Sequence, residues 1–264
     1  ERELLEMLAD ISFLWRRNLR SQAKKLIARA RTLAYQYEEW ELALKILNWQ
    51  LVGIEATALT APVRQRLKEI TEEKVKVINY IDNTEKYRDL NDAVALLNSR
   101  DGMSGREPST ELATILANPL LQSEETALTY SAKLSFYNAH VVAQNLYGND
   151  VEAALYYARK RFEILQTRQD FVAEKPMVYI RGMQQYVQRC IFAGSFGEEE
   201  KALSEFEQTI HKLDNKLYEA ARIEAFIMGT SMEVLFYLNS GKLEQGVERL
   251  GIWQKGIARY KKEI

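Results

Sequence analysis

The chain has 264 residues, 47% of them hydrophobic and 28% charged, which excludes a disordered composition. Lysine and arginine (36) balance aspartate and glutamate (37) to a formal charge of −1, so no global field steers the chain toward nucleic acid or an acidic membrane surface. A single cysteine, Cys190, rules out an internal disulfide and the spacing of a cysteine metal site, and fits a reducing, cytoplasmic compartment. No apolar run approaches the roughly 20 residues of a membrane span, and no basic-then-apolar leader opens the sequence.

Helical periodicity begins at once. After a helix over about 1–17, residues 21–37 place Ala23, Leu26, Ile27, Ala30, Leu33, Ala34 and Tyr37 on one face. Residues 39–58 carry two apolar stripes, one through Trp40, Ala43, Leu47 and Leu51, the other through Leu42, Ile46, Trp49 and Val52. A helix apolar on two sides must be covered on two sides. Thr60 and Pro62 separate it from a helix over 62–81, with proline tolerated in the first turn. Residues 100–108 read as a loop. Residues 124–147 form a second two-sided helix, through Leu128, Ala132, Phe136, Ala139 and Ala143 on one side and Leu134, Tyr137 and Val141 on the other. Gly148, Asn149 and Asp150 end that helix and cap the next. Gly194 does the same, with Ser195 and Glu198 spaced as a capping box. Ser240 and Gly241 make the last turn. No window shows sustained alternation of period two, so no sheet is expected.

The turns centre near 18, 60, 104, 149, 194 and 241, at intervals of 42, 44, 45, 45 and 47 residues. That regularity predicts an all-α fold, an α-solenoid of about six antiparallel helical hairpins with a period of about 44 residues. The units fall at roughly 1–38, 39–82, 83–122, 123–171, 172–215 and 216–264, stacked as a single elongated domain.

Four turns carry a further pattern, in which a small residue follows the turn by five positions and a large apolar residue comes four later. Asn18 leads to Ala23 and Ile27, and Gly241 to Gly246 and Leu250. Asn149 leads to Ala154 and Ala158, and Gly194 to Glu199 and Leu203, where the small residue is missing. This resembles the tetratricopeptide-like (TPR-like) repeats, over about two thirds of the chain. The period exceeds the roughly 34 residues of that family, and residues 60–120 lack the motif; HEAT-like repeats share the longer period. The segment from Leu19 to Ala34 is similar to uncharacterised bacterial helical-repeat proteins, which implies a bacterial origin.

The resemblance implies a groove lined by the first helix of each hairpin. Its positions fall on Arg181, Gln184 and Gln188, on Met228, Ser231 and Leu235, and on Phe136, Ala139 and Ala143. The polar trio suits an extended backbone or a carboxylate, but the Lys/Asn clamp for chaperone tails is not recovered. A basic run, Arg16, Arg17, Arg20, Lys24, Lys25, Arg29 and Arg31, lies in a stretch without acids from Ile11 to Tyr37. It reads as a solvated face balanced by flanking glutamates rather than a nucleic-acid site, which would interleave reachable aromatics. The histidines, His140 and His211, have no metal-ligand spacing, and no phosphate loop or nucleophile elbow occurs. No metal, cofactor or catalytic set is expected, and the chain is read as no enzyme. The expected function is a scaffold holding a protein or peptide partner in the groove. The alternative is a peptide-responsive sensor coupled to an output domain absent from this chain.

Overall fold

The computed structural model describes residues 1–54, 60–101, 110–147, 150–194 and 197–260. Among them the chain is helical throughout, with twelve α-helices and no strand. The expected loop over 100–108 lies almost wholly outside the described residues. The chain divides into two compact units, Glu1–Asp89 with Ser123–Ala132, and Leu90–Gln122 with Lys133–Ile264.

In unit 1, α1 (Arg2–Arg16), α2 (Arg20–Gln36) and α3 (Trp40–Val52) pack in sequence. Their core of Leu4, Ile11, Ala30, Ile46 and Leu47 is closed by Ile70 and Val77 from α4 (Ala61–Asp101). The turns work as local chemistry. At Asn18 and Glu38 the backbone enters the left-handed region (φ 59° and 54°). Each lets the next amide reach back into the preceding helix, Leu19 to the Leu14 carbonyl at 2.9 Å and Glu39 to that of Ala34 at 2.8 Å. The second stripe of α3 is half realised: Leu42 and Ile46 are buried, while Val52 is exposed. The helix ends at Gly53, earlier than expected.

α4 runs for 41 residues, straight through the unit boundary drawn at 82–83. Proline occurs only in its first turn, and glycine nowhere in it. Ion pairs along its surface, such as Lys68–Glu72 and Lys86–Asp82, favour continuation. The helix expected over 124–147 is shorter. Glu124–Thr126 is a 3-10 turn and α6 (Tyr130–Tyr147) starts six residues late. The reason is a set of bonds from residues 45 positions back. The Asn83 side chain donates to the Thr126 carbonyl and accepts from the Leu128 amide, both at 2.9 Å. Thr129, bonded to the Thr84 hydroxyl at 2.8 Å, caps the Ala132 amide, so the helix begins behind it. The Tyr130 amide donates to the Glu38 carboxylate at 2.7 Å.

Unit 2 contains α5 (Thr110–Leu116), α7 (Val151–Gln166), α8 (Gln169–Glu174), α9 (Pro176–Ala193), α10 (Glu198–Leu213), α11 (Glu219–Asn239) and α12 (Leu243–Tyr260), besides most of α6. α9 packs against α7, α10 and α11, and α11 against α10 and α12. The core runs through Phe162, Ile180, Met183, Val187, Phe206 and Met232. Asp150 caps α7 by accepting from the Ala153 amide at 2.8 Å; Gly148 and Asn149 lie outside the described residues. Gly194 and Gly241 take the left-handed conformation that ends α9 and α11 (φ 63° and 70°). Gly197 stands at the start of α10, and the expected partner of its capping box, Ser195, lies outside the described residues. Gly182 lets α7 and α9 close up, since a Cβ there would overlap Leu165.

Candidate functional site

The groove positions lie on α9 and α11, which pack against each other. Arg181 is exposed and already held: its guanidinium donates to both oxygens of Glu224, at 2.7 and 2.9 Å. Gln184 and Gln188 are half-buried, and their amides bond to no other described side chain. Met228 and Ser231 are also half-buried. Ser231 and Leu235 line an apolar cavity of about 230 Å³ between α11 and α12, with Val234 and Trp253. The Trp253 indole N–H, buried there, has no acceptor among the described residues. Phe136, Ala139 and Ala143, by contrast, are buried in unit 2 and present nothing to a ligand.

Sequence reading missed a chain of amides beneath this face. Asn138 donates to Asn91 at 2.6 Å, Gln185 donates to Asn138 at 3.3 Å, and Arg161 donates to Gln185 at 2.8 Å. Residues 91, 138 and 185 are 47 apart at each step, a signal the sequence carried. A cleft of about 470 Å³ between α10, α11 and α12 was missed too. It gathers Glu207, His211, Asp214, Arg222, Glu233 and Arg249 above Phe226 and Gly229. Burial, and then a hydrogen bond with Glu207, raises the Glu233 carboxyl to about 7, although Arg249 stands 3.5 Å away. The hint was one acid in the apolar run Met228–Leu238.

The basic run is mostly engaged within unit 1. Arg29 pairs with Glu3, and Arg31 with Glu73, which also accepts from the Tyr35 hydroxyl. Arg16 donates to the Ser12 hydroxyl, while Arg17 and Arg20 lie over Phe13 and Trp15. Lys24 and Lys25 project into solvent. His140 stacks on Tyr157 at 4.3 Å and its Nε2 meets the Leu121 carbonyl at 3.0 Å; burial lowers its pKa. That is a packing role. Cys190 is buried, which raises its thiol pKa and keeps it unreactive. Among the described residues no group of three or more His, Cys, Asp or Glu gathers for a metal ion, and no helix is long and apolar enough to cross a membrane.

Compared with models of known protein families, with curated proteins and with solved structures, the chain matches none.

Proposed function

We propose that this chain is a non-catalytic scaffold of the bacterial cytoplasm that holds an extended protein or peptide segment along α9 and α11. The carrying observation is the pair Gln184 and Gln188, whose primary amides have no partner among the described side chains. A primary amide both donates and accepts, and so matches the unpaired N–H and C=O groups of an extended backbone. Met228, Ser231 and Leu235 on the neighbouring helix add apolar contact. Arg181, oriented by Glu224, adds a fixed cation at the edge.

The architecture behind the reading is a TPR-like solenoid with a period near 44 residues. Its support is a set of five bonds whose spans lie near one period, beside shorter ones such as Arg29–Glu3 and Arg161–Gln185. Arg31–Glu73 spans 42 residues, Arg181–Glu224 43, Thr84–Thr129 45, Asn138–Gln185 47 and Asn239–Ile191 48. Stacked repeats join equivalent positions at about one period.

The test is affinity capture of the tagged protein from its own cell extract, beside the triple variant Arg181→Ala, Gln184→Ala and Gln188→Ala. A partner held by the parent and lost by a variant of unchanged helicity is the expected result. A partner retained by both removes the site from this face.

A further inference from the structure

We propose that the cleft between α10, α11 and α12 is a binding site for a small organic monocation, a protonated amine on an apolar body. Its volume of about 470 Å³ lies within the range of small-molecule sites, roughly 300–1,000 Å³. Two glycines inside helices shape it. Gly229 brings α11 close to α10, since a Cβ there would stand 3.1 Å from Ile210. Gly256 lets α12 close on Phe226, whose ring a Cβ would overlap. Ile210, Phe226 and Ile252 give the cleft its apolar wall. Phe226, Gly229, Thr230 and Glu233 follow one line of α11, whereas Met228, Ser231 and Leu235 of the groove follow the opposite line. The cleft is therefore separate from the proposed partner groove, and either can fail without the other.

Charge selects the occupant. Two of the three acids are answered within the cleft. The Arg222 guanidinium donates to the Asp214 carbonyl at 3.1 Å and stands 3.7 Å from its carboxylate, and Arg249 stands 3.5 Å from Glu233. Glu207, exposed on α10, has no ion-pair partner among the described residues. With the acids ionised and His211 neutral, the cleft carries a formal charge of −1, which one positive charge on a ligand balances. In the absence of such a charge the Glu233 carboxyl donates a hydrogen bond to Glu207. A proton thus bridges two carboxylates where an ammonium group could donate to both. An anion would meet arginines already engaged and a carboxylate that repels it. A metal ion calls for three or more protein ligands, and no such group of His, Cys, Asp or Glu gathers among the described residues.

Binding is coupled to a proton. The ammonium group takes the place of the proton between Glu233 and Glu207, and that proton passes to the buffer. Glu233 titrates near 7, so affinity for the cation rises as pH rises through about 7, and a proton is released on binding only below that. Isothermal titration calorimetry of the whole chain tests this with three probes of one shape: tryptamine (cationic), tryptophol (neutral) and indole-3-acetate (anionic). Tryptamine is expected to bind at least about tenfold more tightly than the other two at about pH 8. In buffers of differing ionisation heat, its binding is expected to release close to one proton at about pH 6 and almost none at about pH 8. Glu207→Gln, at an exposed position, is expected to abolish the preference for tryptamine with unchanged circular dichroism. Glu233→Gln is expected to abolish the proton release, which separates it from any contribution of His211. Equal binding of the three probes, or binding of none, overturns the proposal. So does tighter binding of indole-3-acetate, which would assign the cleft to its arginines. A tryptamine preference that survives Glu207→Gln overturns it as well, since the cation would then sit elsewhere.

Discussion

The two units bury polar groups in different ways. In unit 1 the buried Asn83 uses both ends of its amide, and Thr129 both accepts and bonds a second hydroxyl. Together they fasten the segment 123–132 to α4. In unit 2 the buried Arg189 and Glu199 each keep an atom without a partner among the described residues, Nε and Oε2 respectively. Desolvation lowers the Arg189 pKa. A completed hydrogen bond stabilises a fold by about 1 kcal/mol, and an orphaned buried group costs about 1–3 kcal/mol. Unit 1 is thus held by this clasp, though it too keeps orphans among the described residues, the neutral Trp40 Nε1 and Gln50 Oε1. In unit 2 the orphaned atoms include those of charged side chains, and the raised carboxyl lies there as well.

The largest expected effect calibrates the comparison. Leu47 is wholly buried between α1, α2 and α3, and Leu47→Ala should cost about 3–4 kcal/mol through lost burial and the cavity left behind. Urea unfolding followed by tryptophan fluorescence measures it, since Trp15, Trp40 and Trp49 all report on unit 1. Next, Asn83→Ala should cost about 2 kcal/mol, because the Thr126 carbonyl and the Leu128 amide both lose their partner. A cost near zero would mean that water replaces the clasp, and the distinction between the units would fail.

How much of this was legible depends on how local the cause is. Helix faces and the turns at Asn18, Gly194 and Gly241 were readable, because periodicity and the left-handed conformation are written within a few residues. The left-handed Glu38 was not readable, since glutamate is no turn residue. Its side chain holds the Tyr130 amide, 92 positions away. The late start of α6 escaped for the same reason: Asn83 and Thr84 lie on another helix. The run Arg16 to Arg31 was legible as a basic cluster near Glu3, but not the half-buried pairing of Arg31 with Glu73, which lies 42 residues on, in α4. Gln184, Gln188, Met228 and Ser231 were named from a repeat pattern, while the cleft around Glu233 needs three helices to assemble and leaves only an isolated acid in the sequence.

Glu233 gives the sharpest pH test of unit 2. The charged groups that interact with it are Glu207 from α10 and Arg249 from α12, while His211, Asp214 and Arg222 line the same cleft. Its carboxyl titrates near 7 in the fold and near 4.5 when unfolded, so the fold binds its proton more tightly. Its contribution is present below about pH 4.5 and is lost as pH rises through about 7. Glu233→Gln should remove this fall, making the variant more stable than the parent by about 1–2 kcal/mol at pH 8 and nearly equal to it at pH 4.5. Parallel pH dependences for parent and variant would refute the assignment.

Glu199 should behave oppositely to Asn83. It occupies the position after Gly194 where the repeat pattern calls for a small residue, and it is buried there. Glu199→Ala should raise stability by about 1 kcal/mol, by removing an incompletely bonded carboxylate and supplying the small residue that close helix packing favours. A loss of stability would show that the carboxylate has partners beyond the described residues.

The smallest effect is the one that bears on function. The Arg181–Glu224 pair has ideal two-point geometry, but its side chains are 54% and 35% exposed. Exposed pairs contribute about 0–1 kcal/mol, so Arg181→Ala should change the unfolding midpoint hardly at all. Gln184→Ala and Gln188→Ala, with no side-chain bond to lose, should do the same. Near-silence in stability is what makes these three positions informative. A segment of partner lying along α9 would lose a cation and two amide contacts from a helix that is otherwise intact. Loss of capture by this triple variant would then be a loss of contacts and not of fold, whereas a large drop in stability would mean that these side chains belong to the packing of unit 2.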